Sequence, residues 1–229
     1  MNNVEASRWP LAARPIVSGR ARTVVFVSGL LSSLLYAAML LCVPLAWKEY
    51  SSASQTVSEL SAIGAPTRHL WVSLAFVWTV LYAVFGWAVW KCAGRNRKLR
   101  VAGGAIVIAA LIGLFWPPMH QREVLAVGEA TLTDTLHLVW TIVNGTLTLI
   151  AMGFGAAALG KGFRLYSALT MLVVIACGTW TGTYASGIRA NLPTPAAGVW
   201  ERIDIGAWLV WVVVLAVVLV RRRPIISVE

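Results

Sequence analysis

The sequence predicts an all-α membrane protein, a bundle of six transmembrane helices with its N and C termini in the cytoplasm. The 229-residue chain is 59% hydrophobic and only 12% charged, whereas a soluble domain carries about 25% charged residues. A water-soluble fold could not cover so much apolar surface, so a polytopic membrane protein is the first prediction. The 12 tryptophans fit the interfacial belts of such proteins, where an indole ring lies half in lipid.

The chain begins with a basic arm, residues 1–22, which we expect in the cytoplasm. The apolar run that follows, 23–46, is longer than the core of a cleaved secretory signal, which has about 7–15 residues. We therefore predict a retained first span, ending near Pro44. Within the polar connection 48–69, the stretch from Thr56 to Ala62 predicts a short capped helix that stops at Gly64.

Five further spans complete the predicted transmembrane domain, residues 23–221, and a cytoplasmic tail follows at 222–229. The third span is short and rich in Gly and Ala, which favours close helix packing, and it stops at Pro117-Pro118. The three cysteines lie in or beside different apolar runs without paired spacing, and we interpret them as packing residues. The five spans are predicted at 70–91, 101–116, 134–159, 164–186 and 205–220.

The distribution of basic residues predicts the orientation of the bundle. If the ends and connections alternate between two sides, one side takes most of the 19 Lys and Arg, and the positive-inside rule places that side in the cytoplasm. The net charge of +10 is then a topology signal, so we expect membrane lipids and no nucleic acid as partners. The predicted location is the cell inner membrane, in a multi-pass arrangement. The basic residues left on the outer side are Lys48, Arg68, Arg122, Arg189 and Arg202.

Polar residues recur along one face of the fourth span. Asp134, His137, Thr141, Asn144 and Thr148 follow one another at steps of three and four, which places them on one side of a helix. Polar side chains that face lipid are costly, so this stripe should face the bundle interior. The stripe predicts hydrogen bonds between helices or a functional site, and both interpretations remain open for its first members.

A metal centre is the first candidate site. His120, Asp134 and His137 are the predicted ligands, with Glu59 or Glu201 as a further one. Imidazole nitrogen and carboxylate oxygen are the usual ligands of a catalytic zinc that keeps one position open. Asp134 and His137 lie three residues apart, so both can point at one ion. In the alternative interpretation, Asp134 caps its helix and His137 bonds to it.

Basic residues of the outer connections are candidates for anchoring a charged substrate or a lipid headgroup. Arginine clamps phosphate or carboxylate through paired hydrogen bonds. Arg202 stands between Glu201 and Asp204 in the sequence, which favours a structural ion pair as the alternative. The predicted substrate-binding residues are Arg122, Arg202, Glu201, Asn144 and Thr141, with Arg68 and Arg189 as further candidates for the clamp.

Two other kinds of chemistry rank lower. A serine hydrolase would use Ser58 or Ser61 with His69, His120 or His137, but the chain has no Gly-x-Ser-x-Gly elbow. A bis-histidine haem would need two of the three histidines, and there is no second pair for an electron path across the membrane.

Four short segments lie at the predicted outer ends of the spans: Ser58–Pro66, Met119–Arg122, Asp134–His137 and Gly198–Ile203. Together they resemble domain-of-unknown-function family 998, six-span integral membrane proteins of bacteria and archaea. The resemblance covers about residues 23–221 and implies a six-helix architecture with a shared polar site at the outer ends of the spans, without supplying an activity. The style of the site is more distantly similar to membrane hydrolases of the alkaline ceramidase type, which hold zinc among Ser, Asp and His. Their terminal His-x-x-x-His is missing here, because no histidine follows His137.

The leading functional prediction is metal-assisted hydrolysis of a lipid-like ester or amide. A divalent metal, with zinc as the candidate, would be held by His120, Asp134 and His137 and would activate a bound water. Asp134 or Glu59 would act as base, and Arg122 or Arg202 would anchor substrate charge. The alternative is a non-enzymatic carrier or binding protein for a lipid or small amphipathic ligand, which would use the same groups with proton coupling.

Overall fold

The computed structural model describes residues 19–128 and 130–221, and the regular structure in these ranges is helical. The predicted all-α fold class is confirmed. Most of the predicted basic arm and the whole predicted tail, 222–229, lie outside the described residues. Two 3₁₀ helices, Val43–Ala46 and Val57–Ser61, lie between the first two α-helices. The described α-helices are α1 Gly19–Cys42, α2 Arg68–Cys92, α3 Arg97–Gly113, α4 Arg122–Val127, α5 Leu132–Ala158, α6 Lys161–Thr183, α7 Ala185–Arg189 and α8 Ala197–Arg221.

Five segments of the described chain are long and apolar enough to cross a membrane. This agrees with an integral, multi-pass membrane protein. The helix α3 is shorter, with 17 residues, and at 1.5 Å per residue it reaches about 26 Å, just under the ~30 Å hydrocarbon core of a bilayer. The five segments are Gly19–Ala46, Arg68–Cys92, Leu132–Ala158, Lys161–Arg189 and Ala197–Arg221.

The six long helices form a closed ring. Each packs against the next in the chain, in the order α1, α2, α3, α5, α6 and α8, and α8 returns to pack against α1. The pair α2 and α3 is in backbone contact, because a Cβ on Gly103 would lie 2.5 Å from the Trp90 nitrogen. Large apolar side chains such as Phe85, Ile106 and Trp211 fill the half of the ring that lies towards the turn between α2 and α3. The opposite half, next to the connection 48–69, contains the cavity described below.

The six long helices all begin two to eight residues earlier in the chain than the predicted spans, as α3 and α8 illustrate. The helix α3 starts at Arg97 instead of residue 101, because Asn96 caps it by accepting the Leu99 N–H at 3.1 Å. The helix α8 starts at Ala197 instead of residue 205, so Glu201 and Asp204 belong to its first turns. Glu201 and Asp204 therefore belong to a helix of the ring and not to the connection that precedes it.

Candidate functional site

The connections 48–69, 117–133 and 187–204 are held together by a buried ion pair between Glu59 and Arg122. The Arg122 guanidinium donates to both carboxylate oxygens of Glu59, through Nε and through Nη2, the latter at 2.9 Å. The same guanidinium donates to the carbonyl oxygens of Ser54 at 3.1 Å and Leu192 at 3.4 Å. The pair therefore joins three connections between helices. The charges of these two predicted site residues are paired with each other.

Glu59 also caps the second 3₁₀ helix. Its Oε2 accepts the Thr56 N–H at 2.7 Å and the Thr56 hydroxyl at 2.9 Å, a capping box that starts the helix at Val57. The short helix expected between Thr56 and Ala62 is therefore present. Its second residue, Ser58, is presented to the interior of the ring.

Asp134 caps α5 and binds the loop that carries His120. Its carboxylate accepts the Thr131 N–H at 2.9 Å, the Thr131 hydroxyl at 2.7 Å and the His120 N–H at 2.8 Å. Nδ1 of His120 lies 3.0 Å from Oδ2 of Asp134. The capping role expected for Asp134 as the alternative is therefore present. The histidine that contacts its carboxylate is His120, whereas His137 contacts Pro117 and Ser58.

His137 forms a pair with Ser58. Its Nδ1 lies 2.8 Å from the Pro117 carbonyl oxygen and its Nε2 lies 3.2 Å from Oγ of Ser58. Because a carbonyl oxygen only accepts, Nδ1 carries the proton, which leaves Nε2 of the neutral ring free to accept from the hydroxyl. The ring is buried and has Trp116 and Trp140 as aromatic neighbours. This arrangement is a serine–histidine dyad in which a backbone carbonyl orients the imidazole.

The predicted metal ligands are not gathered around one point. In the described part of the chain, no group of three or more His, Cys, Asp or Glu side chains is placed to hold a metal. The Asp134 carboxylate already accepts hydrogen bonds from the Thr131 N–H, the Thr131 hydroxyl and the His120 N–H. The His137 ring faces Pro117 and Ser58. This arrangement fits a shared zinc poorly, and zinc stays a prediction for metal analysis to test.

A cavity of about 340 Å³ lies inside the ring, beside Ser58. Along α2 its wall runs from Trp71 to Tyr82, about 16 Å at 1.5 Å per residue, so it reaches past the middle of that helix. Thr141 and Asn144 belong to the wall, as the polar stripe on the fourth span predicts. The polar lining residues are Ser58, Ser61, Thr79, Thr141, Asn144, Thr148, Glu201 and Asp204.

Arg202 is turned away from this cavity. Its Nη1 donates to the carbonyl oxygens of Ser52 at 2.8 Å, Gln55 at 3.2 Å and Gly198 at 3.1 Å, and its Nη2 donates to the Tyr50 hydroxyl at 2.8 Å. Burial raises the pKa of Tyr50 to about 12 against the opposing effect of this hydrogen bond. The ion pair with Glu201 or Asp204 expected as the alternative does not form, because backbone carbonyls occupy the guanidinium.

Sequence reasoning ranked the Ser58–His137 pair low because the chain lacks a nucleophile elbow. The two residues are 79 positions apart, and the loop that supplies the Pro117 carbonyl is between them in the sequence. The available signal was the placement of both residues at the outer ends of predicted elements, Ser58 at the start of a capped helix and His137 one turn into the fourth span. No sequence pattern predicts a role for Tyr36, Trp71 or Trp78 on the aromatic side of the cavity.

A family described as protein of unknown function (DUF998) matches residues 30–218. No curated protein and no solved structure matches the chain.

Proposed function

This chain belongs to the DUF998 family of proteins of unknown function, and we propose that it is an inner-membrane hydrolase whose Ser58–His137 dyad cleaves a lipid-like ester or amide. The observation that carries this proposal is the hydrogen-bond chain from Pro117 O through His137 to Oγ of Ser58, at 2.8 and 3.2 Å. A hydroxyl becomes a useful nucleophile when an adjacent base takes its proton and a third group orients that base. All three parts are present here.

The chemistry runs through an acyl-enzyme. Nε2 of His137 takes the Ser58 proton as Oγ attacks the carbonyl carbon, and the imidazolium then protonates the leaving alcohol or amine as its bond to that carbon breaks. In the second half, His137 takes a proton from the water that attacks the acyl carbon. It then returns this proton to Oγ of Ser58 as the bond between Oγ and the acyl carbon breaks, which releases the acid. The Pro117 carbonyl keeps Nδ1 protonated throughout and stabilises the imidazolium.

The cavity suits an amphipathic substrate. Its wall combines indole and phenol rings with hydroxyls, an amide and two carboxylates. One donor in this wall, Nε1 of Trp78, is buried without a hydrogen-bond partner in the described part of the chain. A buried donor without a partner costs about 1–3 kcal/mol, which an ester carbonyl or hydroxyl of a bound substrate would recover.

The proposed topology has six spans with both termini in the cytoplasm. The helix α3 counts as the third span because it closes the ring between α2 and α5. The turn from Cys92 to Arg97 makes α2 and α3 antiparallel neighbours, and its basic residues belong on the cytoplasmic side. Ser58, His137 and the mouth of the cavity then face the outer leaflet.

A test is turnover of acyl esters by the protein purified in detergent. Ser58→Ala should lower kcat/KM by about 10³-fold or more, because it removes the nucleophile. Ser73→Ala is the matched control, since the Ser73 hydroxyl is exposed and bonds only the His69 carbonyl in its own helix. Equal turnover in the wild type and Ser58→Ala would remove the proposal.

A second candidate is a non-enzymatic carrier that uses the cavity as a binding site with proton coupling. This candidate is favoured by Glu201 and Asp204. Both carboxylates line the cavity, which extends part of the way through the helix bundle. Binding of a lipid-like ligand without any turnover, unaffected by Ser58→Ala, would select this candidate.

A further inference from the structure

Five aromatic rings form one wall of the central cavity. Tyr36, Trp71, Trp78, Tyr82 and Trp208 come from three helices, and all five line the cavity. Neighbouring ring centroids lie 5.0 to 6.0 Å apart, most of them edge to face. The face of an aromatic ring carries negative electrostatic potential, so a wall of this kind attracts cations as well as apolar groups.

Two carboxylates share the cavity with this wall. Glu201 and Asp204 lie one helical turn apart on α8. Glu201 accepts the Val57 N–H, whereas Asp204 makes no hydrogen bond to any residue that the structure describes. An ionised carboxylate removed from bulk water without a partner is unfavourable, so a positively charged ligand beside Asp204 would stabilise its ionised form.

The chain's own cations do not fill this role. Among the described residues that line the cavity there is no Lys, Arg or His. The neighbouring cation in the sequence, Arg202, donates to three backbone carbonyls and to Tyr50 outside the cavity. Arg122 is paired with Glu59. Among the described lining residues, Glu201 and Asp204 are therefore the ones that can carry a charge near neutral pH.

We propose that this cavity binds an organic ammonium group, held between the Asp204 carboxylate and the rings of Tyr36, Trp78 and Trp208. Aromatic cages with a nearby carboxylate suit quaternary and alkylated ammonium ions, which are large, weakly hydrated cations. A hard metal cation fits less well, because Ca²⁺ or Mg²⁺ takes about six or more oxygen ligands and the aromatic wall offers few.

The inference deepens the proposed function and rests on it in one respect. With the ammonium group at Asp204, the rest of the ligand extends along the wall towards Ser58, so the substrate is an ester or amide of an amino alcohol or amine. The binding of the cation itself does not require the dyad. It therefore persists in Ser58→Ala, which separates failure of this inference from failure of the hydrolase.

The test measures binding of choline to the purified protein by tryptophan fluorescence and by thermal stability. The neutral isostere 3,3-dimethylbutan-1-ol is the matched ligand, since it has the same shape without the charge. We expect choline to bind at least tenfold more tightly than the isostere, and Asp204→Asn to weaken choline at least tenfold. Glu123→Gln is the control variant, because Glu123 is an exposed carboxylate away from the cavity.

A second variant guards against misfolding. Trp208→Phe keeps an aromatic ring with a weaker negative face, so choline should weaken by a smaller factor than in Asp204→Asn. Equal binding of choline and its isostere, or full choline binding in Asp204→Asn, overturns the inference. Protection by Ca²⁺ or Na⁺ that choline does not displace also overturns it.

The source of the ammonium group is distinguished in nanodiscs. Protein in phosphatidylglycerol nanodiscs is titrated with free choline, and is compared with protein in phosphatidylcholine nanodiscs without choline. Stabilisation by free choline alone identifies a soluble ligand, and stabilisation by phosphatidylcholine identifies a lipid headgroup. If neither free choline nor phosphatidylcholine stabilises the protein, the inference is contradicted.

Discussion

Nε2 of His137 lies 3.2 Å from the Ser58 hydroxyl, while Nδ1 of the same ring lies 2.8 Å from the Pro117 carbonyl oxygen. This relationship favours serine-based over metal-assisted hydrolysis, the two kinds that the sequence suggests. The carboxylate nearest in sequence, Asp134, is engaged by Thr131 and His120. The imidazole therefore lies beside a serine hydroxyl, and metal analysis remains the test of the zinc prediction.

His137→Asn should lower ester turnover by about 10²- to 10⁴-fold, because it removes the general base. The direction of the pH dependence follows from the same role. Only the neutral imidazole can accept the Ser58 proton, so wild-type kcat/KM should fall as the pH is lowered and His137 becomes protonated. The measurement is a pH profile of kcat/KM, with His69→Gln as the control because His69 is exposed at the start of α2. A flat acid limb would contradict this assignment.

Chelators and metal analysis separate the dyad from a zinc site. If Ser58 is the nucleophile, turnover should survive dialysis against EDTA, and the purified protein should carry no stoichiometric zinc. If zinc activates water instead, metal content should approach one ion per chain and should be lost in His137→Ala together with activity. The measurement is metal content by mass spectrometry beside turnover on the same samples.

Glu59→Gln should destabilise the protein by about 3–5 kcal/mol, because it leaves the Arg122 guanidinium buried without its counter-charge. Thermal unfolding in detergent measures the loss. Glu49→Gln is the control, since Glu49 is exposed in the same connection. If Glu59 were instead a catalytic base, the variant would keep its melting temperature and lose only kcat.

Asp134→Asn should cost about 1–3 kcal/mol of stability, because an amide cannot accept all the hydrogens that Thr131 and His120 donate to the carboxylate. Turnover per folded molecule should stay within a few-fold of the wild type. A loss of kcat by two orders of magnitude with unchanged melting behaviour would return Asp134 to a direct role in the chemistry.

Reporter fusions test the proposed orientation. A fluorescent protein fused after residue 229 should fluoresce, and alkaline phosphatase inserted in the connection 48–69 should be active, if both termini are cytoplasmic and Ser58 faces outwards. An odd number of spans would place the two termini on opposite sides. Activity of a phosphatase fused at the C terminus would contradict the proposal.

Much of the fold follows from local sequence patterns. Apolar runs and composition predict an all-helical membrane protein, and a helix occupies each run. The cap at Thr56 follows from the spacing of Thr and Glu, as does the inward face of Thr141 and Asn144 on α5. These features depend on residues a few positions apart, so periodicity and capping rules are sufficient for them.

The site depends on contacts that no local pattern encodes. His137 could bond to Asp134, to a metal or to a carbonyl, and the loop at Pro117 decides this only once the ring has closed. Arg202 stands beside Glu201 and Asp204 in sequence, yet it binds the carbonyls of a connection about 150 residues away. The aromatic wall likewise joins α1, α2 and α8, which are distant in the chain.

The most direct test of the central claim is covalent labelling of the purified wild-type protein with a fluorophosphonate, followed by peptide mass spectrometry. A serine activated by a neighbouring imidazole should carry the adduct on Ser58, and His137→Asn should abolish the label while Ser73→Ala retains it. No adduct, or an adduct on another serine that survives His137→Asn, would show that Ser58 is not an activated nucleophile.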